Sequence, residues 1–142
     1  MLKEGIKAPE IQGVDFIGKT TVLYFYPKDD TPGCTANACD FRDNYQTLTQ
    51  KGFTIIGVSP DSENSHIKFK EKYNLPFELI PDTDKTIAKS YEVWGKKKMY
   101  GKEYEGILRT TFVIDKSGII TKIIDKVDTK NATQQLLDKL SI

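Results

Sequence analysis

Thr20 to Pro27 (TTVLYFYP) and Phe53 to Pro60 (FTIIGVSP) are near-continuous runs of aliphatic, β-branched and aromatic residues, each ended by a proline. Such runs predict strands buried on both faces. Leu108 to Asp115 (LRTTFVID) and Ile119 to Asp125 (IITKIID), separated by Lys-Ser-Gly, predict a β-hairpin. Between the first two strands the period changes. Cys34, Ala38, Phe41, Tyr45 and Leu48 recur at spacings of four and three, one face of an amphipathic helix that Gly52 would end. A second helix is expected from Ser62 to Tyr73, with Ile67, Phe69 and Tyr73 inward and Asp61 or Ser62 as its cap. Shorter helices fit Thr83 to Tyr91 and Lys130 to Leu140.

Strand, helix, strand, helix, hairpin and terminal helix describe an α/β fold: a mixed central sheet with helices on both faces. At 142 residues, the chain is expected to form one domain, residues 1–142, without linkers or repeats. Trp94 to Gly106 (WGKKKMYGKEYEG) shows no clear period and reads as a solvated loop with aromatic anchors.

Charge narrows the partners. Twenty-one Lys and Arg against 20 Asp and Glu leave a net charge of +1, too small a field to favour nucleic acid or an anionic membrane. Lys96, Lys97 and Lys98 beside Tyr100 and Tyr104 do not change that balance. The amino terminus lacks the apolar core of a secretion signal, and no apolar stretch is long enough to span a membrane, so a cytoplasmic location is expected.

In a reducing compartment two cysteines are poor candidates for a permanent staple, which turns attention to TPGCTANAC, residues 31–39. Cys34 falls where a buried strand has ended and a helix begins, with Pro32 and Gly33 making the turn. The free amides and dipole of a helix start favour thiolate, the nucleophilic form. The plainer reading is a small buried hydrophobe. Thr31 can place a hydroxyl beside the sulfur or serve as a cap.

Zinc needs about four ligands, and two cysteines and one histidine do not supply them. His66, among polar neighbours, reads as a surface residue. It is also the lone histidine, which argues against a Cys-His hydrolase. The cation beside the sulfur would then be Arg42 or Arg109, the chain's two arginines, and the residues alone leave that choice open.

YFYPKDDTPGCTANACDFRD resembles the peroxiredoxins, in particular the bacterioferritin comigratory or Q-type branch. In that branch a proline, a threonine and the peroxide-reacting cysteine follow at fixed spacing, matched by Pro27, Thr31 and Cys34. A resolving cysteine five residues on is matched by Cys39, and an arginine opening an Arg-Ser/Thr-Thr-Phe segment by Arg109. The resemblance continues through GVSPDSENSHIKFKEKYNLPFELIPD and WGKKKMYGKEYEGILRTTFVID. Asn37 departs from it, since many relatives carry Glu or Gln there.

The resemblance implies a thioredoxin-like fold and reduction of hydrogen peroxide or an organic hydroperoxide by Cys34. It further implies a sulfenic acid resolved by Cys39 as a disulfide, thioredoxin as reductant, a monomer, and neither metal nor cofactor. Two other classes compete. A redox sensor would need a signalling surface, of which the chain gives no sign. A protein thiol-disulfide oxidoreductase usually spaces its cysteines by two residues rather than four.

Overall fold

A computed structural model describes residues 2–142. The two apolar runs form its inner strands, β1 (Thr20–Phe25) and β2 (Phe53–Ser59), which pair in parallel from Thr20 opposite Phe53 to Phe25 opposite Val58. Parallel neighbours need a crossover, and the cysteine segment supplies it as α1 (Pro32–Asp43) and α2 (Tyr45–Gln50). A second crossover, α3 (Glu63–Tyr73), leads to β3 (Glu78–Pro81), parallel to β2. Next come α4 (Thr86–Ser90) and a separate two-stranded hairpin, β4 (Trp94–Met99) and β5 (Lys102–Ile107). The chain then re-enters the sheet as β6 (Thr110–Ile114), antiparallel to β1, turns into β7 (Ile120–Ile124), and ends with α5 (Ala132–Leu140). The order β3-β2-β1-β6-β7 is the mixed sheet that the sequence predicts.

Because side chains alternate along a strand, β1 serves two cores at once. Val22 and Tyr24, with Tyr26 just beyond, pack with Cys34, Ala38 and Phe41 of α1, Leu48 of α2, Phe69 of α3 and Leu136 of α5. Leu23 and Phe25 face the other way, onto Phe112, Ala88 of α4 and the amino-terminal Ala8, Ile11 and Phe16. Helices thus cover both faces, and burying each large apolar side chain contributes about 1.5–3 kcal/mol.

Six expectations need correction. The cysteine helix does not run unbroken to Leu48: it stops at Asp43, and α2 starts at Tyr45. Asn44 at the junction turns its side-chain amide back onto the Asp40 carbonyl at 2.8 Å, a local bond that competes with helix continuation. His66 is not a surface residue but only 3% exposed, whereas Ile67 is 47% exposed. The inward face of α3 reads His66, Phe69 and Tyr73, spaced three and four apart, and a polar residue type concealed it.

The Trp94–Gly106 segment is a hairpin rather than a loop. Tyr100 and Gly101, both with positive φ, make its two-residue turn. Its strands escape a period-based reading because Lys96 faces Glu105 and Lys98 faces Glu103, charge against charge instead of apolar alternation. Strand β3 was not expected at all. Finally, the helix foreseen over Thr83–Tyr91 begins only at Thr86, because the buried Asp82 carboxylate accepts the Ile87 and Ala88 amides at 3.0 and 2.8 Å. The last helix likewise begins at Ala132, not Lys130.

One glycine is fixed by contact. A Cβ on Gly57 would lie 2.8 Å from Leu79 Cδ2 and 2.9 Å from Tyr24 Cζ, both side chains buried. Gly57→Ala is therefore expected to destabilise the protein by about 1–3 kcal/mol, the usual cost of overpacking. Urea denaturation checks this, and an unchanged midpoint would show that Tyr24 and Leu79 yield freely.

Candidate active site

The register of β1 on β6 builds the site. The strands run antiparallel with Phe25 opposite Thr110, so the end of β1 lies beside the start of β6. Arg109 immediately precedes that start. The chain leaving β1 passes through residues 26–31 and enters α1 at Pro32, where proline suits the first helical turn because its missing N–H has no helical partner to lose. Two segments far apart in sequence thereby converge on one point, the sulfur of Cys34.

Arg109 Nη2 donates to Cys34 Sγ at 3.3 Å, which resolves the choice between the arginines by distance. A Cβ on Gly33 would sit 3.4 Å from the same Nη2, so the guanidinium lies close over the helix start. Arg109 Nη1 is also buried and has no hydrogen-bond partner among the described residues. Arg42 instead donates to the Tyr73 carbonyl at 2.8 Å and pairs with Asp43 at 2.9 Å. It fastens α1 to the end of α3.

Thr31 is the N-cap residue of α1, yet its side chain makes no cap bond. Its hydroxyl donates to the Lys28 carbonyl at 2.9 Å, which commits the proton and leaves the oxygen as an acceptor. The first helical bond is Thr35 N–H to the Thr31 carbonyl at 2.8 Å, so the amides of Gly33 and Cys34 precede the helical ladder. Pro27 is partly buried at the start of the loop.

The two cysteines differ in setting. Cys34 is 1% exposed and Cys39 is partly exposed, and both are free thiols within one intact helix. Burial pushes the Cys39 thiol above its ordinary value, with Arg42 opposing and Asp43 adding to the shift.

Several neighbours were not read from the sequence as part of the site. Tyr24 presents a buried hydroxyl with no hydrogen-bond partner among the described residues, and its phenol is held well above the ordinary range by burial first and then by the charge of Cys34. Lys97 of the hairpin is held below its ordinary value by burial and by Arg109, with Cys34 opposing, which brings β4 into the field of the site. Asp29, in the loop that leads to α1, forms a buried pair at 2.7 Å with His66 of α3. A tyrosine in an apolar run and a histidine in a charged helix carry no sequence signal that separates them from packing or surface residues.

Among the described residues, no group of three or more His, Cys, Asp or Glu is arranged to hold a metal, and no helix is long and apolar enough to cross a membrane.

The chain is similar to known proteins along most of its length. The model of the AhpC/TSA family matches residues 4–123. Peroxiredoxin Bcp of Bacillus subtilis is 52% identical over 126 residues, covering 89% of this chain and 80% of the relative. A putative peroxiredoxin bcp of Coxiella burnetii is 47% identical over 126 residues, 89% and 83% of the two chains. Among solved structures, the bacterioferritin comigratory protein of Xanthomonas campestris, studied for alkyl peroxide reduction, superposes with a TM-score of 0.82 at 36% identity, covering 89% of this chain and 80% of its own. Peroxidoxin BcpB of Mycobacterium tuberculosis reaches 0.82 at 27% identity over 99% and 97% of the two chains. The mixed sheet is therefore the thioredoxin-like fold foreseen above. On these matches the chain belongs to the AhpC/TSA family as a peroxiredoxin, a peroxidase that uses a thiol reductant.

Proposed function

We propose that Cys34 is the peroxidatic nucleophile and Cys39 the resolving thiol of a thioredoxin-dependent cycle acting on hydrogen peroxide and organic hydroperoxides. The observation that carries this reading is the 3.3 Å contact from Arg109 Nη2 to Cys34 Sγ at the start of α1. The thiolate attacks one peroxide oxygen, the O–O bond breaks, and the departing oxygen leaves as water or alcohol after taking a proton. Sulfur is oxidised to sulfenic acid and the peroxide is reduced by the same two electrons. Arg109 Nη1, buried without a protein partner, offers a donor to the oxygen that gains negative charge. The Thr31 hydroxyl oxygen, its own proton held by Lys28, accepts the peroxide O–H. Pro27 shields the sulfur.

Cys39 sulfur then displaces hydroxide from the sulfenic acid, water forms, and the Cys34–Cys39 disulfide results. A thioredoxin dithiol takes over that disulfide and restores both thiols. In this reading residues 1–142 act as one domain and as a monomer in the cytoplasm. The pKa of Cys39, held up by burial, suits a thiol that waits for sulfenic acid and does not compete for peroxide.

Spacing makes the cycle conformational. Residues five apart in an α-helix have Cα atoms roughly 8.6 Å apart, beyond the ~6.8 Å limit of a disulfide. Both cysteines lie inside α1, so oxidation must unwind at least Cys34 to Cys39.

Four tests follow from this mechanism. Cys34→Ser is expected to abolish peroxide consumption in the presence of thioredoxin and its reductase while circular dichroism stays unchanged; substantial residual turnover rejects Cys34 as nucleophile. Cys39→Ser reduces a single peroxide, then stalls, and mass spectrometry finds sulfinic or sulfonic Cys34; undiminished cycling removes Cys39 from its role.

Arg109→Ala is expected to slow peroxide attack by on the order of 2–4 kcal/mol in the barrier, the loss of one charged donor. Arg42→Ala, which unfastens α1 from Tyr73 and leaves the Cys34 contact in place, should affect stability far more than rate. Stopped-flow kinetics showing equal slowing in both would exclude the assignment.

Amide hydrogen exchange on reduced and peroxide-treated protein reports the unwinding. Residues 35–42 lose protection on oxidation and regain it with dithiol. A confirmed Cys34–Cys39 disulfide with protection unchanged would contradict the switch.

A further inference from the structure

Helix α3 clamps the loop that delivers Cys34, and the clamp is polar. Asp29 and Asp30, between Pro27 and Thr31, both reach α3. Asp29 Oδ2 accepts from the Ser65 hydroxyl at 2.8 Å and meets His66 Nδ1 at 2.7 Å, while Oδ1 accepts from the Tyr26 hydroxyl at 2.6 Å. Asp30, in the left-handed region at φ 56, accepts from Lys72 Nζ and the Tyr73 hydroxyl, each at 2.7 Å. The Asp29 amide donates to Asp61 Oδ2 at 2.7 Å, which also takes the Ser59 hydroxyl at 2.8 Å. The loop is thereby tied to β1, the end of β2 and α3.

The second nitrogen of His66 decides the chemistry. Nε2 meets the Ile80 carbonyl of β3 at 3.1 Å, so each ring nitrogen faces an acceptor: a carboxylate on one side and a carbonyl on the other. A neutral imidazole has one N–H, and whichever tautomer it took would point a lone pair at one of these oxygens in a site where His66 is 3% exposed. Only the imidazolium donates to both. The charged and titratable groups around the ring are Asp29 in the loop, Asp61 after β2 and Tyr26 beyond β1.

We infer that His66, as a buried imidazolium, is a positioning residue that holds the Pro27–Thr31 loop in the conformation needed for peroxide attack, and that loss of its ring proton to solvent releases the loop and slows Cys34. The inference rests on the reading of Cys34 as nucleophile. Burial opposes the charged ring, but the Asp29 hydrogen bond and charge outweigh it and raise His66 above its ordinary value. Burial likewise opposes the Asp29 carboxylate, yet the hydrogen bonds from His66, Tyr26 and Ser65 hold it below the usual range. The signs follow by linkage. The stability His66 contributes is full below about pH 6.5 and is lost as pH rises through its raised folded value. That of Asp29 is full above about pH 3.9 and is lost as pH falls through its lowered folded value.

His66 is the chain's only histidine, so one set of imidazole NMR resonances reads it without ambiguity. On the wild-type protein at pH 7 both ring nitrogens are expected at protonated shifts. On further titration the ring loses its proton at a pH above the ordinary histidine value. The rate constant for Cys34 oxidation, followed by stopped flow, is expected to fall several-fold along an alkaline limb with the same midpoint. In His66→Gln, which keeps hydrogen-bonding capacity without a titration, that limb disappears while melting curves show a folded protein. Asp29→Asn is expected to leave His66 neutral at pH 7.

A neutral His66 at pH 7 in the wild type overturns the inference, as does the same alkaline limb in folded His66→Gln. If His66→Gln does not fold, the wild-type comparison still decides, because midpoints of ring and rate that differ by a full pH unit overturn it. Failure of the underlying reading shows separately, as turnover retained by Cys34→Ser with the NMR titration unaltered.

Discussion

The contact between one guanidinium and one sulfur organises this molecule. It joins the first turn of α1 to the residue before β6, seventy-five positions later, and it exists only because β1 and β6 are antiparallel neighbours with Phe25 opposite Thr110. A register slip of one residue would turn Arg109 to the other face of the sheet. The two cores on either side of β1 fix that register through alternate side chains, Tyr24 and Tyr26 to one, Leu23 and Phe25 to the other. Hydrophobic packing therefore sets the position of a charge that no local sequence feature could set. Arginine suits the task because it stays protonated at any accessible pH and offers several donors at fixed geometry, one spent on the sulfur and one left over.

Polar chemistry gathers at one end of the sheet. The parallel strands β1, β2 and β3 end at Phe25, Ser59 and Pro81, and just beyond them stand three carboxylates: Asp29 accepts the Tyr26 and Ser65 hydroxyls, Asp61 the Asp29 amide, and Asp82 the Ile87 and Ala88 amides. In open α/β sheets the carboxyl ends of parallel strands form the natural site, because loops there are free of ladder bonding while the helices that follow present unpaired amides. Here the acidic residues act as structural acceptors that fix loops, and Cys34 follows the first of those loops at the start of α1. Left-handed Asp30 shows the loop held in a conformation that a non-glycine residue rarely adopts.

Much of this was legible in the sequence, and the divide is physical. Inner strands buried on both faces announce themselves through uninterrupted apolar runs, and the helix carrying Cys34 through its period. The pairing of the two cysteines with Thr31, Pro27 and Arg109 came from a resemblance, since spacing alone left Arg42 and Arg109 equal. What stayed hidden was held by polar long-range bonds. His66 reads as surface until Asp29 and the Ile80 carbonyl are seen on its two nitrogens. The β4–β5 hairpin lacks apolar alternation because Lys102 to Glu105 of β5 are all exposed and charged residues face one another across its strands. Short β3 offers four residues, of which Glu78 and Pro81 are exposed, too little pattern for any period.

A helix that must open in every cycle cannot be too stable when closed, and α1 carries its weaknesses where the proposed switch needs them. Thr31 gives its hydroxyl proton to Lys28 rather than capping the helix, and an absent N-cap bond is worth about 1 kcal/mol. No acidic residue in the first turn complements the dipole, which an anionic sulfur there would do instead. Asn37, midway between the cysteines, is 0% exposed with neither amide atom bonded to protein, and an unpaired buried polar group costs about 1–3 kcal/mol. These deficits lie within or just before the segment from Cys34 to Cys39. Beyond it the helix is fastened: Asp40 accepts the Thr133 amide of α5 at 2.7 Å, and Arg42 holds the Tyr73 carbonyl. The distribution favours opening from the amino-terminal end with the remainder left in place, and the same uncapped amides that weaken the first turn are the ones a thiolate at Cys34 would use.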